Sequence, residues 1–261
     1  MLMGAVAYDP KVVTIWDGFR TWLRKRGLPF DFVLYSNYER QVEDLVSGHL
    51  DAAWNSPLAW IRARRLAAAD GRDLHPLVMR DTDRDLTSVV VVRTDSPYKD
   101  VADLKGETIA VGAVDSPQAT LIPCSYLRGQ GVNFSAHRFD VGVGLHGDHI
   151  GGERDAARAL ISGQAEAATM IDANHLLFTR EGTLPPGSTR IIARTAPFDH
   201  CNMTVPDPAR AGRFGELLLS MSYADPQVRP LLDMEGLTEW QPGRSSGYAA
   251  LEAAVDEARF Y

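Results

Sequence analysis

The sequence predicts an α/β protein built as two similar lobes, and three observations carry that expectation. Short apolar runs rich in β-branched residues alternate with stretches whose apolar residues recur at helical spacing. One pattern of helix, glycine, acidic residue and strand occurs twice, as LVSGHLDAAW at 45–54 and LISGQAEAATM at 160–170. The length of 261 residues suffices for one large domain or two lobes with buried cores.

The elements follow in order. MGAVAY (3–8) reads as a buried strand ended by Asp9-Pro10. Val12, Ile15, Trp16, Phe19, Trp22 and Leu23 then mark one face of a helix that Gly27 stops. PFDFVLY (29–35) is a strand; Tyr38, Val42, Leu45 and Val46 mark a helix closed by Gly48, and LDAAW is the next strand. Ser56 as N-cap and Pro57 at the first helical position open a third helix, and LHPLVM (74–79) returns to strand. This alternation argues for a largely parallel sheet. Trp16, Trp54 and Trp60 sit at core-like spacings and are expected to pack.

The second half repeats the scheme. LTSVVVVRTDS (86–96) and ETIAVG (107–112) are strands, and DSPQATLIPCSYLRGQG (115–131) is a strand-to-helix junction capped by Asp115 or Ser116. AARALISGQAEAATMI (156–171) is helix then strand, NHLLFTREG (174–182) a helix and TRIIARTAPF (189–198) a strand. The tail is helical, broken at Pro226 and Pro230, with a last helix capped by Ser245 or Ser246.

Composition excludes several classes. Hydrophobic residues make 45% and charged residues 23% of the chain, as in ordinary globular proteins. The net charge of −7 argues against a nucleic-acid surface, which needs a basic stripe. It leaves room for a small anion held by local dipoles. Cys124 and Cys201 form no CxxC motif. No run of 18 or more apolar residues exists, so no membrane span is expected. MLMGAVAYDP has no basic leader segment, so a cytoplasmic protein is expected as the chain stands, or a periplasmic or lipid-anchored one if a leader was removed. No cofactor is expected.

Two stretches concentrate chemistry. DVGVGLHGDHIGGERDA (140–156) holds His146, Asp148, His149 and Glu153 among glycines. His146 and His149 are candidate metal ligands; a ligand contact and a solvated loop are the other readings. PFDHCN (197–202) places Asp199, His200 and Cys201 after a strand. A Cys beside a His can be an activated nucleophile or a soft metal ligand, whereas a buried small hydrophobe is the commoner fate. The charge run MRDTDRDLTS (79–88) reads as a solvated turn, with Arg80 the exception, since it ends a strand and could grip an anion bidentately.

YERQVEDLVSGHLDAAWNSPLAWIRA (38–63), VADLKGETIAVGAVDSPQATLIPCSYLRGQGV (101–132) and ERDAARALISGQAEAA (153–168) resemble signatures of the phosphate/phosphonate-type substrate-binding proteins of ABC importers. The resemblance implies a type II periplasmic-binding-protein fold with two crossover hinge strands. Lobe 1 would be 1–88 plus 200–261, lobe 2 would be 89–199, and a small polar, anionic ligand would lie in the cleft. An ABC permease would be the partner.

In open α/β sheets ligands bind beyond the strands' carboxyl ends, near helix N-termini. There the candidates are Tyr8, the signature's Tyr38, Asn55, Ser56 and Arg80 from the first lobe. From the second come the crossover Ser88, the loop residues Asp115, Ser116, Gln118, Ala119 and Thr120, and His146. Asp172 ends AATMI, and His200 follows the return strand. The chain also departs from the family pattern. Ser116-Pro117-Gln118 stands where a Ser-Thr-Ser-like run is usual, Leu86 replaces an aromatic residue, and Arg154 replaces a histidine. Pro117 removes a donor, while Gln118 adds an amide suited to a carboxylate or carbonyl. The alternative is a cytoplasmic lyase or decarboxylase-like enzyme on the same fold, acting on a small organic acid. His146, Asp148, His149, His200 and Cys201 would then be its acid–base candidates.

Overall fold

A computed structural model describes residues 1–140 and 149–261. In chain order its strands are β1 (Leu2–Val6), β2 (Asp31–Tyr35), β3 (Ala52–Asn55), β4 (His75–Arg80), β5 (Ser88–Arg93), β6 (Thr108–Val111), β7 (Ser135–Arg138), β8 (Ala167–Ile171), β9 (Thr189–Arg194), β10 (Asn202–Val205) and β11 (Trp240–Pro242). The helices are α1 (Lys11–Lys25), α2 (Tyr38–Val46), α3 (Pro57–Ala69), α4 (Ile122–Gly129), α5 (His149–Ile161), α6 (Asp172–Glu181), α7 (Pro208–Leu219), α8 (Arg229–Glu235) and α9 (Ala249–Ala258). His146 and Asp148 lie outside the described residues. No helix among the described residues is long and apolar enough to cross a membrane.

The chain divides into a first unit, Met1–Arg84 with Asp199–Tyr248, and a second, Asp85–Phe198 with Ala249–Tyr261. The lobe bounds expected from the resemblance, 1–88 plus 200–261 and 89–199, differ from these units at 85–88, at Asp199 and at the C-terminus, where α9 belongs to the second unit. The cause is local. Leu251, Ala254 and Val255 are buried, and the Glu257 carboxylate accepts from Ser125 Oγ at 2.6 Å and from Arg128 at 3.2 Å.

The first unit holds a six-stranded sheet in the order β11-β4-β10-β3-β1-β2. β1 runs parallel to β2 and β3, whereas β10 runs antiparallel between β3 and β4. The largely parallel sheet expected from the alternation is thus interrupted by the strand that follows the second crossing. Trp16, Phe19, Trp22 and Leu23 of α1 are buried as their spacing predicts. Trp54 meets Trp240 edge-on, with ring centroids 5.6 Å apart, and Trp16 at 6.4 Å.

The second unit holds a five-stranded sheet in the order β7-β6-β8-β5-β9. β5 shows why an unbroken apolar run was needed there. Val89 and Val91 join Ala156, Leu160, Met170 and Phe178 in one core cluster, and Val90 and Val92 join Ile109, Val111 and Leu127 in another. Alternate side chains of a strand face opposite sides, so a strand covered on both must be apolar throughout.

Candidate functional site

In the first unit, the carboxyl ends of β1, β3 and β4 and the start of the antiparallel β10 share one edge of the sheet. Tyr8, Asn55, Ser56, Arg80, His200 and Cys201 are brought there by the strands they end or precede. Tyr38 opens α2 at the same edge, after Asn37 caps that helix by accepting the Arg40 N–H at 2.9 Å.

Arg80 is held by its own neighbours. Its guanidinium grips the Asp83 carboxylate through Nε and through NH2, the latter at 2.9 Å. Its NH1 donates to the Glu235 carbonyl at 2.8 Å and stands 3.4 Å from the Glu235 carboxylate. The guanidinium carbon lies 5.3 Å from the centroid of the Trp54 ring. One cation therefore serves two buried carboxylates, unequally. Burial pushes Asp83 up, but Arg80 and His200 outweigh it and hold the acid down to about 2. Glu235 has only the longer contact, and burial lifts it to about 7 despite Arg80.

His200 faces two acceptors with one nitrogen. Nδ1 lies 3.2 Å from the Cys201 sulfur and 3.4 Å from Asp83 Oδ1. Burial pulls the ring's pKa down, yet Cys201 and Asp83 outweigh it and hold it up to about 10. A nucleophile–histidine–acid relay needs both ring nitrogens, one for each partner. Here the same nitrogen meets sulfur and carboxylate, so the ring cannot pass a proton between them. Tyr8 is 55% exposed as a residue, yet desolvation, Glu235 and Cys201 raise its phenol to about 12. Burial first, then Cys201 and Tyr8, raise Tyr38 well above the usual phenol range.

Asn55 lies in a buried polar chain. It is fully buried. Gln41 Nε2 donates to its carbonyl at 2.8 Å, and its own amide donates to Thr204 Oγ1 at 2.8 Å. Thr204 donates to Asn202 at 2.7 Å, Asn202 to the Tyr248 hydroxyl at 2.9 Å, and Tyr248 to the His200 carbonyl at 2.7 Å. This buried chain of amides and hydroxyls fixes the backbone that carries His200.

The second unit has its own strand-end cluster. After β6 the chain makes one π-helical turn, Pro117–Leu121, before α4. Ser116 caps it by accepting the Ala119 N–H at 3.1 Å, much as Ser56 caps α3 by accepting from Ala59 at 3.3 Å. Ser88 donates to the Gln118 carbonyl, Thr120 donates to the Ala113 carbonyl at 2.7 Å, and Thr169 donates to the Ala119 carbonyl at 2.6 Å. Three hydroxyls thus pin the loop by its backbone. Gln118 Nε2 donates to buried Glu153 at 3.1 Å, whose other oxygen accepts from the Ile171 N–H and from Asn174, each at 2.9 Å. Gln118 Oε1 is buried with no hydrogen-bond partner among the described residues. Asp115 pairs with His149 at 3.2 Å, and Asp172 with Arg194 at 2.6 Å. Gly152 admits a close approach of backbone rather than ligand, since a Cβ there would stand 2.6 Å from the Phe139 carbonyl oxygen.

The structure thus gathers Tyr8, Tyr38, Arg80 and His200 in one unit, and Ser88, Asp115, Ser116, Gln118, Ala119 and Thr120 in the other. His149 joins Asp115, and its suggested metal partner His146 lies outside the described residues. Sequence reasoning missed Asp83, Glu235, Asn202 and Tyr248. Asp83 had one available signal, its place three residues after Arg80 on a turn. Glu235 is 155 residues from Arg80, and nothing in the sequence links them.

Two α/β units of this topology, each with capped helix starts at its strand ends, define the type II periplasmic-binding-protein class. The chain belongs to the phosphonate family of periplasmic substrate-binding proteins of ABC transporters, whose family model matches residues 4–248. The phosphate-import protein PhnD of Mycolicibacterium smegmatis is 25% identical over 195 residues, 71% of this chain. The match spans only 56% of that relative's length. Among solved structures, PhnD1 of Prochlorococcus marinus in complex with methylphosphonate superposes with a TM-score of 0.68 at 16% identity, over 100% of this chain and 98% of that one. XAC2383 of Xanthomonas citri bound to ATP gives 0.72 at 20% identity, over 100% and 98%. The periplasmic aliphatic sulphonate binding protein SsuA of Escherichia coli gives 0.59 at 18%, over 100% and 87%. At these identities the structural matches establish the fold.

Proposed function

We propose that this chain is the solute-binding component of an ABC importer and takes a small oxyanion of the phosphonate, phosphate or sulfonate class. The family match over residues 4–248 is the observation that carries this reading. It also favours the periplasm among the locations considered.

The chemistry of the strand ends supports an oxyanion. Ser56 and Ser116 accept backbone N–H groups through Oγ, so each keeps a hydroxyl proton to donate. Both stand at helix starts, where the helix dipole favours negative charge. Arg80 is already neutralised by Asp83, so within the first unit we assign recognition to neutral donors, Ser56 with Tyr8 and Tyr38. Such donors favour a compact anion with several acceptor oxygens over a carboxylate with two.

The test is calorimetric titration of the protein, dialysed free of anions, with methylphosphonate, phosphate, a short alkylsulfonate and succinate. Saturable binding of at least one tetrahedral oxyanion is expected, with succinate weaker. Binding of succinate alone, or of none of the four, overturns the reading.

A further inference from the structure

We propose that Asp83, His200 and Cys201 form a binding site for one divalent transition-metal ion of borderline softness, the class of Zn²⁺ and Co²⁺. The cluster lies wholly within the first unit. Among the described residues it is the group of metal-ligating side chains whose donor atoms converge, all within 4.8 Å of one another.

Two of the three ligand spacings are close to those of a coordination shell, and the third lies within 4.8 Å. His200 Nδ1 is 3.2 Å from the Cys201 sulfur and 3.4 Å from Asp83 Oδ1. With bonds of about 2.0–2.3 Å to nitrogen, oxygen and sulfur, neighbouring ligands of a tetrahedral ion stand roughly 3.3–3.8 Å apart. In the metal-free cluster a single proton on Nδ1 faces both sulfur and carboxylate. A dication seated among the three atoms satisfies them all. Thiolate with imidazole selects this class over the hard ions Mg²⁺ and Ca²⁺, which take oxygen ligands. Three protein ligands leave a fourth position for an exchangeable group.

The surroundings hold the ligands in place, as outer partners do around metal sites. Arg80 orients the Asp83 carboxylate. The Cys201 N–H donates to Asp83 Oδ1 at 3.2 Å, and the His200 N–H to the Asp83 carbonyl at 2.8 Å. The Tyr248 hydroxyl holds the His200 carbonyl at 2.7 Å. Cys201 and Asp83 are buried and His200 half-buried, which keeps the sulfur from bulk water.

The experiment titrates the chelator-stripped, full-length protein with Co²⁺ and then displaces it with Zn²⁺. One equivalent of Co²⁺ is expected, with a near-ultraviolet thiolate-to-cobalt charge-transfer band that Zn²⁺ abolishes. Cys201→Ser should lose the band, and both it and His200→Ala should weaken Zn²⁺ by at least about 100-fold, beyond the range typical of outer partners alone. Cys124→Ser should keep the band and the affinity, since Cys124 lies buried in the other unit. A wild-type protein that shows no charge-transfer band overturns the proposal, whether or not the variants fold. So does a folded Cys201→Ser that retains wild-type Zn²⁺ affinity.

Discussion

Arg80 and its two carboxylates show how single residues set the protein's response to pH. Glu235 titrates near 7 in the folded chain against an ordinary value of 4.5. Between those values the folded state keeps a proton that the unfolded state gives up, so stability falls as pH rises through that window. Glu235→Gln should flatten the stability profile between about pH 5 and 7, as read by urea midpoints; an unchanged slope would show that Glu235 ionises normally. Asp83 behaves in the opposite sense. Its acid is held at about 2, so its stabilising contribution is present above the ordinary carboxylate range and is lost as pH falls towards 2. Asn55→Ala removes the middle of a buried hydrogen-bond chain and leaves Gln41 Nε2 and Thr204 each short of a partner. Gln41 Nε2 keeps the Trp54 carbonyl and Thr204 keeps Asn202, so the expected cost is about 1–3 kcal/mol in unfolding free energy in all, and a loss under about 0.5 kcal/mol would mean that water replaces the amide.

Elements place these residues, and much of their placement was legible. The 3.6-residue spacing of Val12, Ile15, Trp16 and Phe19 predicted the buried face of α1, Ser56-Pro57 predicted the start of α3, and of the two caps open for the next junction, Asp115 and Ser116, the structure uses Ser116. Periodicity and capping are local, so one sequence suffices to read them. The rest depended on distant contacts. The run MRDTDRDLTS reads as a solvated turn because charge density usually means water, yet Asp83 is 2% exposed since Arg80 and His200 neutralise it. Asn55, Ser88 and Thr120 have the right chemistry for a ligand, but their polar groups are engaged by Thr204, Gln118 and Ala113, partners that no spacing rule identifies. Gly152 is an element-scale constraint of the same kind. Gly152→Ala should drive a methyl into the Phe139 carbonyl, loosening the start of α5 and costing about 1–3 kcal/mol. A thermal midpoint equal to wild type would show that the helix shifts freely.

At the scale of the whole chain, two units are each built around a sheet of their own, and the chain passes between them after Arg84, Phe198 and Tyr248. The third passage was not legible, because α9 continues an apparently first-lobe tail and is claimed by Ser125 and Arg128. A chain ending at Tyr248 should therefore lose amide-exchange protection in α4 and β6 while the β1–β3 sheet keeps it. Uniform loss across both sheets would contradict that division.

The central claim, that the chain captures an oxyanion through capped helix starts, is tested most directly by calorimetric titration of wild type and Ser116→Ala with methylphosphonate and phosphate. The account predicts saturable binding of one of these by wild type. It predicts at least about tenfold weaker binding by Ser116→Ala, the equivalent of one hydrogen bond of roughly 1.4 kcal/mol to a charged group. Equal affinity in a folded Ser116→Ala, or no binding of either anion by wild type, would contradict it.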